Sequence, residues 1–333
     1  MKRFIPLIIV LASTFLFSCS SNIYTPVEEL PPAENLKYSL VFYIHGDADY
    51  LYHDENNKSV NADEESVRQA IDVAKTLTNG EVFILHQKRK KHFLFFFPKD
   101  DKEFYYFRNG RLLTQLSLDT DENKGVLDDE ISFIKKYAAV NHPDSSAAIF
   151  LYFGHQLPEK NEAGYFISFP EQEFGIELLS EKAAEVAEIL NKKEFDITVL
   201  STCVGGTPFV AQKFSKLTKF LIASPEDLHL SFMNIDYLKS LNNLGNFNPR
   251  EFSLNFAESS FERLKKKTTT IVSVSVYDMN YLQPELSGLP DAPCSTLINS
   301  LADKKGVTVF YRPPQFGRRK DNNTHSGWNC AGE

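Results

Sequence analysis

The sequence predicts a three-layer α/β domain built on a mostly parallel β-sheet, with an added antiparallel hairpin region. Three observations carry this. Short apolar, β-rich runs recur at residues 40–44, 81–86, 147–153, 195–200 and 219–224. Most are separated by stretches whose apolar residues fall at helical spacing, the alternation that returns each strand to the same edge of a parallel sheet. A block of aromatic-rich runs over residues 92–118 breaks the alternation and reads as hairpins instead.

The chain opens with an export signal over residues 1–18. Lys2 and Arg3 precede an apolar run over residues 4–17, too short for a comfortable membrane span. Leu16-Phe17-Ser18-Cys19 then has the form of a lipoprotein processing box, with a small residue before the cysteine. Cleavage before Cys19 and lipidation of its thiol are expected, ahead of an uncleaved anchor or an ordinary secretory peptide. The body is then expected on a bacterial cell envelope, at the outer membrane where the cell has two membranes, because Ser20 does not resemble a retention signal. Residues 19–36 are polar, carry Pro26, Pro31 and Pro32, and read as an extended tether. The folded domain is expected over residues 37–285, with residues 286–333 as a C-terminal extension.

Within the domain, the strand at 40–44 leads into His45-Gly46-Asp47, read as a loop. Asp63 opens a helix with Val67, Ala70, Ile71, Ala74 and Leu77 on one face, and Asn79-Gly80 closes it. After the strand at 81–86, the runs at 92–97, 103–107 and 112–118 stack against one edge of the sheet, and Asn109-Gly110 is a hairpin turn. Asp128 and Asp129 begin a helix that buries Leu127, Ile131, Ile134 and Ala138. A buried strand ends at His155, a helix over residues 180–190 crosses over, and the next strand ends ahead of Cys203. Thr207-Pro208 opens the following helix with a capping hydroxyl and a first-turn proline. Asn248-Pro249 opens another, and residues 268–277 form a last strand.

Two parallel strands that release a thiol and an imidazole at their carboxyl ends supply a nucleophile and its base. Cys203, at a strand-to-helix handover near the positive end of a helix dipole, is the candidate nucleophile. His155 is the candidate base. The plainer reading of a lone cysteine is a small buried residue closing a strand. Cys294 and Cys330 remain in an exported chain and are expected to pair as a disulfide over the tail, with two free thiols as the alternative.

These residues resemble the clostripain family of cysteine peptidases, which share the caspase-like fold. The resemblance spans residues 39–282. It rests on GDAD after the first strand, LDDEISFIKKYAA before the histidine strand, the two strand ends, FLIAS, and SVSVYDMNYL. It implies a His155/Cys203 dyad that hydrolyses peptide bonds, often after Arg or Lys, and in some members internal cleavage and a calcium requirement. The oxyanion is then held by the backbone N–H groups of Cys203 and Gln156. Here Gly154 precedes the histidine, whereas the family carries its glycine after it. The acid the family places two residues before the cysteine is Ser201, and a hydroxyl cannot neutralise a guanidinium as a carboxylate does. Glu226 and Asp227 are the alternative pocket acids, or simply solvated loop residues.

Composition excludes other classes. The formal charge is −8, and losing Lys2 and Arg3 makes the body more acidic, so nucleic-acid binding is not expected. No GxSxG motif supports a serine hydrolase, and no His/Cys spacing marks structural zinc. No cofactor is required, although Asp47, Asp49, Asp54 and Glu55 offer oxygens for calcium. A monomer acting on peptides or proteins is expected. The competing reading is an inactive caspase-fold lipoprotein that serves as a scaffold.

Overall fold

In the computed structural model, the described residues are 22–30, 36–48, 51–53, 59–90, 92–93, 97–98, 100–138, 146–228, 233–243, 245–290, 292–316 and 324–331. The apolar runs pair into one nine-stranded sheet. Its strands are β1 (Tyr38–Gly46), β2 (Gly80–Lys88), β3 (Lys102–Arg108), β4 (Arg111–Leu118), β5 (Ala147–Phe153), β6 (Phe195–Ser201), β7 (Thr218–Ala223), β8 (Val272–Asp278) and β9 (Val307–Arg312). The spatial order is β9-β8-β7-β6-β5-β1-β2-β3-β4. The central run from β7 to β2 is parallel. Antiparallel strands close both edges.

Helices α1 (Ala62–Thr76), α2 (Asp128–Tyr137), α3 (Ile176–Ile189), α4 (Pro208–Phe214), α5 (Pro249–Lys267), α6 (Met279–Ser287) and α7 (Cys294–Leu301) make the outer layers. Alternation along the strands assigns them to faces. In β1, Leu40, Phe42 and Ile44 point into a core with α1, α5 and the 3₁₀ turn Ile235–Asn243. Val41 and Tyr43 point into a second core with α2, α3, α4 and α6. Each fully buried Phe, Leu or Ile contributes about 1.5–3 kcal/mol, so the two cores dominate the stability.

Three features differ from the sequence expectation. β1 runs on to Gly46, so His45 is buried in a strand end instead of lying in a loop. Part of the expected tether is docked: Ile23 exchanges backbone hydrogen bonds with Gln115 of the edge strand β4 (3.0 and 2.8 Å), and Thr25 Oγ1 donates to the Leu113 carbonyl at 2.6 Å. An edge strand offers unpaired backbone groups, and this segment satisfies some of them. At the opposite edge, β9 comes from residues read as a C-terminal extension. Arg312 of β9 donates to the carbonyls of Lys265, Thr268 and Thr270 (2.6–2.8 Å), which secures the carboxyl end of α5. The tail beyond is closed by a disulfide between Cys294 and Cys330 and by Trp328, buried against Tyr277.

Candidate active site

β5 and β6 are neighbouring parallel strands in which Phe153 pairs with Ser201. His155 and Cys203 therefore each lie two residues past a paired position, at the same edge of the sheet. Strands so paired run about 4.8 Å apart. His155 is exposed, and Cys203 is half-buried and free of any disulfide. The loops are tied together: Thr202 Oγ1 donates to the His155 carbonyl at 2.6 Å, and the Gly154 N–H to the Ser201 carbonyl at 3.4 Å.

The His155 carbonyl is a meeting point for hydroxyls. Besides Thr202, the hydroxyls of Tyr165 and Tyr152 lie 3.2 and 3.5 Å from it and within hydrogen-bond distance of each other, so their two protons serve two of these three contacts. No cis peptide bond occurs among the described residues. In a planar trans peptide the N–H of Gln156 points opposite to the His155 carbonyl, so fixing one direction fixes the other. Gly154 has no room for a side chain, since a Cβ would meet Tyr152 Oη and, at 3.1 Å, the Cβ of His45.

The cysteine loop is held just as closely. Val204 has φ of +48°, a conformation that costs a β-branched residue on the order of 1–3 kcal/mol. Its N–H donates to the Glu226 carbonyl at 3.2 Å, and the Gly206 N–H to the Ser224 carbonyl at 2.9 Å. The Leu228 N–H donates to Cys203 Sγ at 3.3 Å. α4 starts at Pro208, five residues on, and Thr207 Oγ1 accepts its Val210 N–H at 3.2 Å. The Leu228 amide that donates to the sulfur belongs to the loop after β7.

The remaining candidates divide. Ser201 is fully buried, and its Oγ accepts the Met233 N–H at 3.0 Å. Glu226 turns its carboxylate to His325, Oε1 to Nε2 3.0 Å, and Asp227 is exposed. Asp47 Oδ1 and Oδ2 accept from the Ser168 hydroxyl and N–H at 2.7 and 2.9 Å, so its carboxylate anchors the loop after His155. Asp49, Asp54, Glu55 and Cys19 lie outside the described residues. Among the described residues no cluster of three His, Cys, Asp or Glu is arranged to hold a metal, and no helix is long and apolar enough to cross a membrane. Sequence reasoning missed Thr202 and His325, whose partners are brought close only by the fold, and Tyr152 and Tyr165, which meet the His155 carbonyl from three and ten residues away.

Two buried histidines flank this edge. His45 packs at a tilt on Tyr165 and edge-on against Phe166, neither of its ring nitrogens has a hydrogen-bond partner, and burial holds its pKa down at about 3. For His86 on β2, burial opposes the charge. The Asp63 carboxylate at 2.9 Å and Glu103 at 3.6 Å outweigh it and raise the pKa. The His86 imidazolium, ahead of the Lys88 ammonium, pulls Glu103 down to about 2.

No protein-family model matches the chain, and no curated protein matches it either. Solved structures do. A secreted C11 cysteine protease from Bacteroides thetaiotaomicron, in complex with an irreversible peptide inhibitor, is similar at 14% identity over 80% of this chain and 69% of that one, with a TM-score of 0.51. The chain has the fold of that protease. An inactive zymogen C11 protease from Parabacteroides distasonis is also similar, at 14% identity over 83% and 68% of the two chains, with a TM-score of 0.48.

Proposed function

We propose that the chain is a cysteine endopeptidase in which Cys203 is the nucleophile and His155 its acid–base partner. The observation that carries this reading is the shared register of the two strand ends, which puts a histidine and a cysteine outside any disulfide at one sheet edge on adjacent strands. The C11-type fold supports it.

Cys203 attacks the scissile carbonyl as a thiolate, its proton passing to His155. The developing oxyanion is held by the N–H groups of Cys203 and Gln156, the latter aimed by the hydroxyls on the His155 carbonyl. That clamp fixes the direction of the Gln156 N–H at a position where the family pattern carries a glycine. His155 then protonates the leaving amine, and water hydrolyses the thioester with His155 as base. Leu228 N–H steadies the sulfur, which accepts a hydrogen bond better when it carries charge.

Substrates are peptides or proteins. Ser201 is enclosed and Glu226 is engaged by His325, so a buried acidic floor for Arg or Lys is not part of this proposal. We further propose that a lipid on Cys19 holds the enzyme on the outer membrane. Turnover of a fluorogenic peptide panel with basic and neutral residues at the scissile position, by the parent chain and by Cys203→Ala, tests the activity. Cleavage that disappears in Cys203→Ala supports it, and no cleavage by folded parent protein counts against it.

A further inference from the structure

We propose that the C-terminal segment, residues 324–331, is a strap that holds the Cys203 loop in its strained shape, and that His325 is a positioning residue acting through Glu226. The functional consequence rests on the peptidase reading, but the mechanical claim does not.

The strap reaches the loop at two points. The Asn329 N–H donates to the Gly206 carbonyl at 3.1 Å, three residues past Cys203. His325 Nδ1 accepts the Gly327 N–H at 2.9 Å, which leaves the ring proton on Nε2, facing Glu226 Oε1 at 3.0 Å. Glu226 in turn offers its carbonyl to the N–H of Val204, the residue in the left-handed conformation. Two residues on, Leu228 donates to Cys203 Sγ. His325 is thus connected through one side chain and a short backbone segment to both the strained residue and the sulfur.

The strap is itself firmly seated. Tyr277 Oη donates to the Gly327 carbonyl, Trp328 packs on the Tyr277 ring, and Cys330 is joined to Cys294 at the start of α7. Tyr277 Oη also lies where a Cβ on Gly206 would be, so the same hydroxyl bounds the cysteine loop and the strap. A φ of this sign in a valine persists only where its surroundings over-determine it. The loop after strand β7 supplies part of that constraint through Ser224 and Glu226, and the strap supplies the rest.

The test combines amide hydrogen exchange with labelling kinetics in the purified full-length chain, comparing the parent with His325→Ala, His325→Gln and the double variant Cys294→Ser/Cys330→Ser. Exchange at Val204, Gly206 and Leu228 should accelerate about tenfold in His325→Ala and in the double variant, with protection in β1 and β5 unchanged. His325→Gln, which keeps an N–H for Glu226, should restore the parent pattern. With a peptidyl thiol-reactive probe, the maximal labelling rate should fall about tenfold in His325→Ala while its half-saturating concentration stays constant. Parent-like exchange at all three amides in both strap-releasing variants overturns the proposal, as does an equal loss of protection across the whole sheet. A parent chain that the probe does not label removes the peptidase reading, and the exchange data then decide the strap alone.

Discussion

Thr202 Oγ1 donates a 2.6 Å hydrogen bond to the carbonyl of His155, joining the residue before the candidate nucleophile to the candidate base itself. The bond joins the loop after β6 to the loop after β5 and sets the plane of the peptide that carries the Gln156 N–H. Thr202→Val removes the hydroxyl at nearly constant volume. It should cost about 0.5–1.5 kcal/mol in urea unfolding, since Tyr165 still satisfies the carbonyl. Probe labelling of Cys203 should slow by more than that stability loss implies, because an oxyanion donor is misdirected. Unchanged labelling in Thr202→Val would show that the clamp has no part in the chemistry.

Ser201 sits where a pocket acid was expected, but its hydroxyl serves the fold by accepting the Met233 N–H. Ser201→Ala leaves that amide without its partner in a fully buried setting, and the expected loss is about 1–3 kcal/mol by equilibrium unfolding. Selectivity between basic and neutral probes should stay as in the parent.

His45 makes stability acid-sensitive. Folded His45 titrates at about 3 against an ordinary 6.5, so between those values the unfolded chain binds the extra proton. Stability is undiminished above 6.5 and falls as the pH drops towards 3, by at most about 1.4 kcal/mol per pH unit. His45→Phe keeps an aromatic ring against Tyr165 and Phe166 without a titrating nitrogen. Its urea midpoint should decline less than that of the parent from about pH 7 to about pH 4, the other titrations being common to both. Parallel declines would contradict the assignment.

The His86 cluster behaves in the opposite sense. His86 has a raised pKa, so its contribution is complete below 6.5 and lost as the pH climbs through the raised value. Glu103, lowered to about 2, contributes fully above its ordinary 4.5 and loses that contribution as the pH falls towards 2. The stability difference between the parent and His86→Gln should therefore peak between those two ordinary values, 4.5 and 6.5, when midpoints are measured across the pH range.

Where local chemistry decides a structure, the sequence was readable. Asn109 and Gly110 both take positive φ in the hairpin turn, Thr207 caps α4 ahead of Pro208, and Asn248 accepts from the Arg250 and Glu251 N–H groups at the start of α5. Apolar alternation gave the parallel centre of the sheet. The support of the site was not readable, because its parts are distant in sequence. Thr202 and His155 are separated by 47 positions and His325 and Glu226 by 99, and none of these pairings has a local signature. β9 was missed for a related reason. Its burial is only partial, so it lacks the fully apolar run that marks the central strands.

The most direct test of the proposed dyad is intact-mass labelling of the purified protein with peptidyl thiol-reactive probes, comparing the parent with Cys203→Ala and His155→Ala. One label per chain, absent in Cys203→Ala and strongly reduced in His155→Ala, is the predicted result. Equal labelling of the parent and His155→Ala, or no labelling of the folded parent, would contradict a working His155/Cys203 pair.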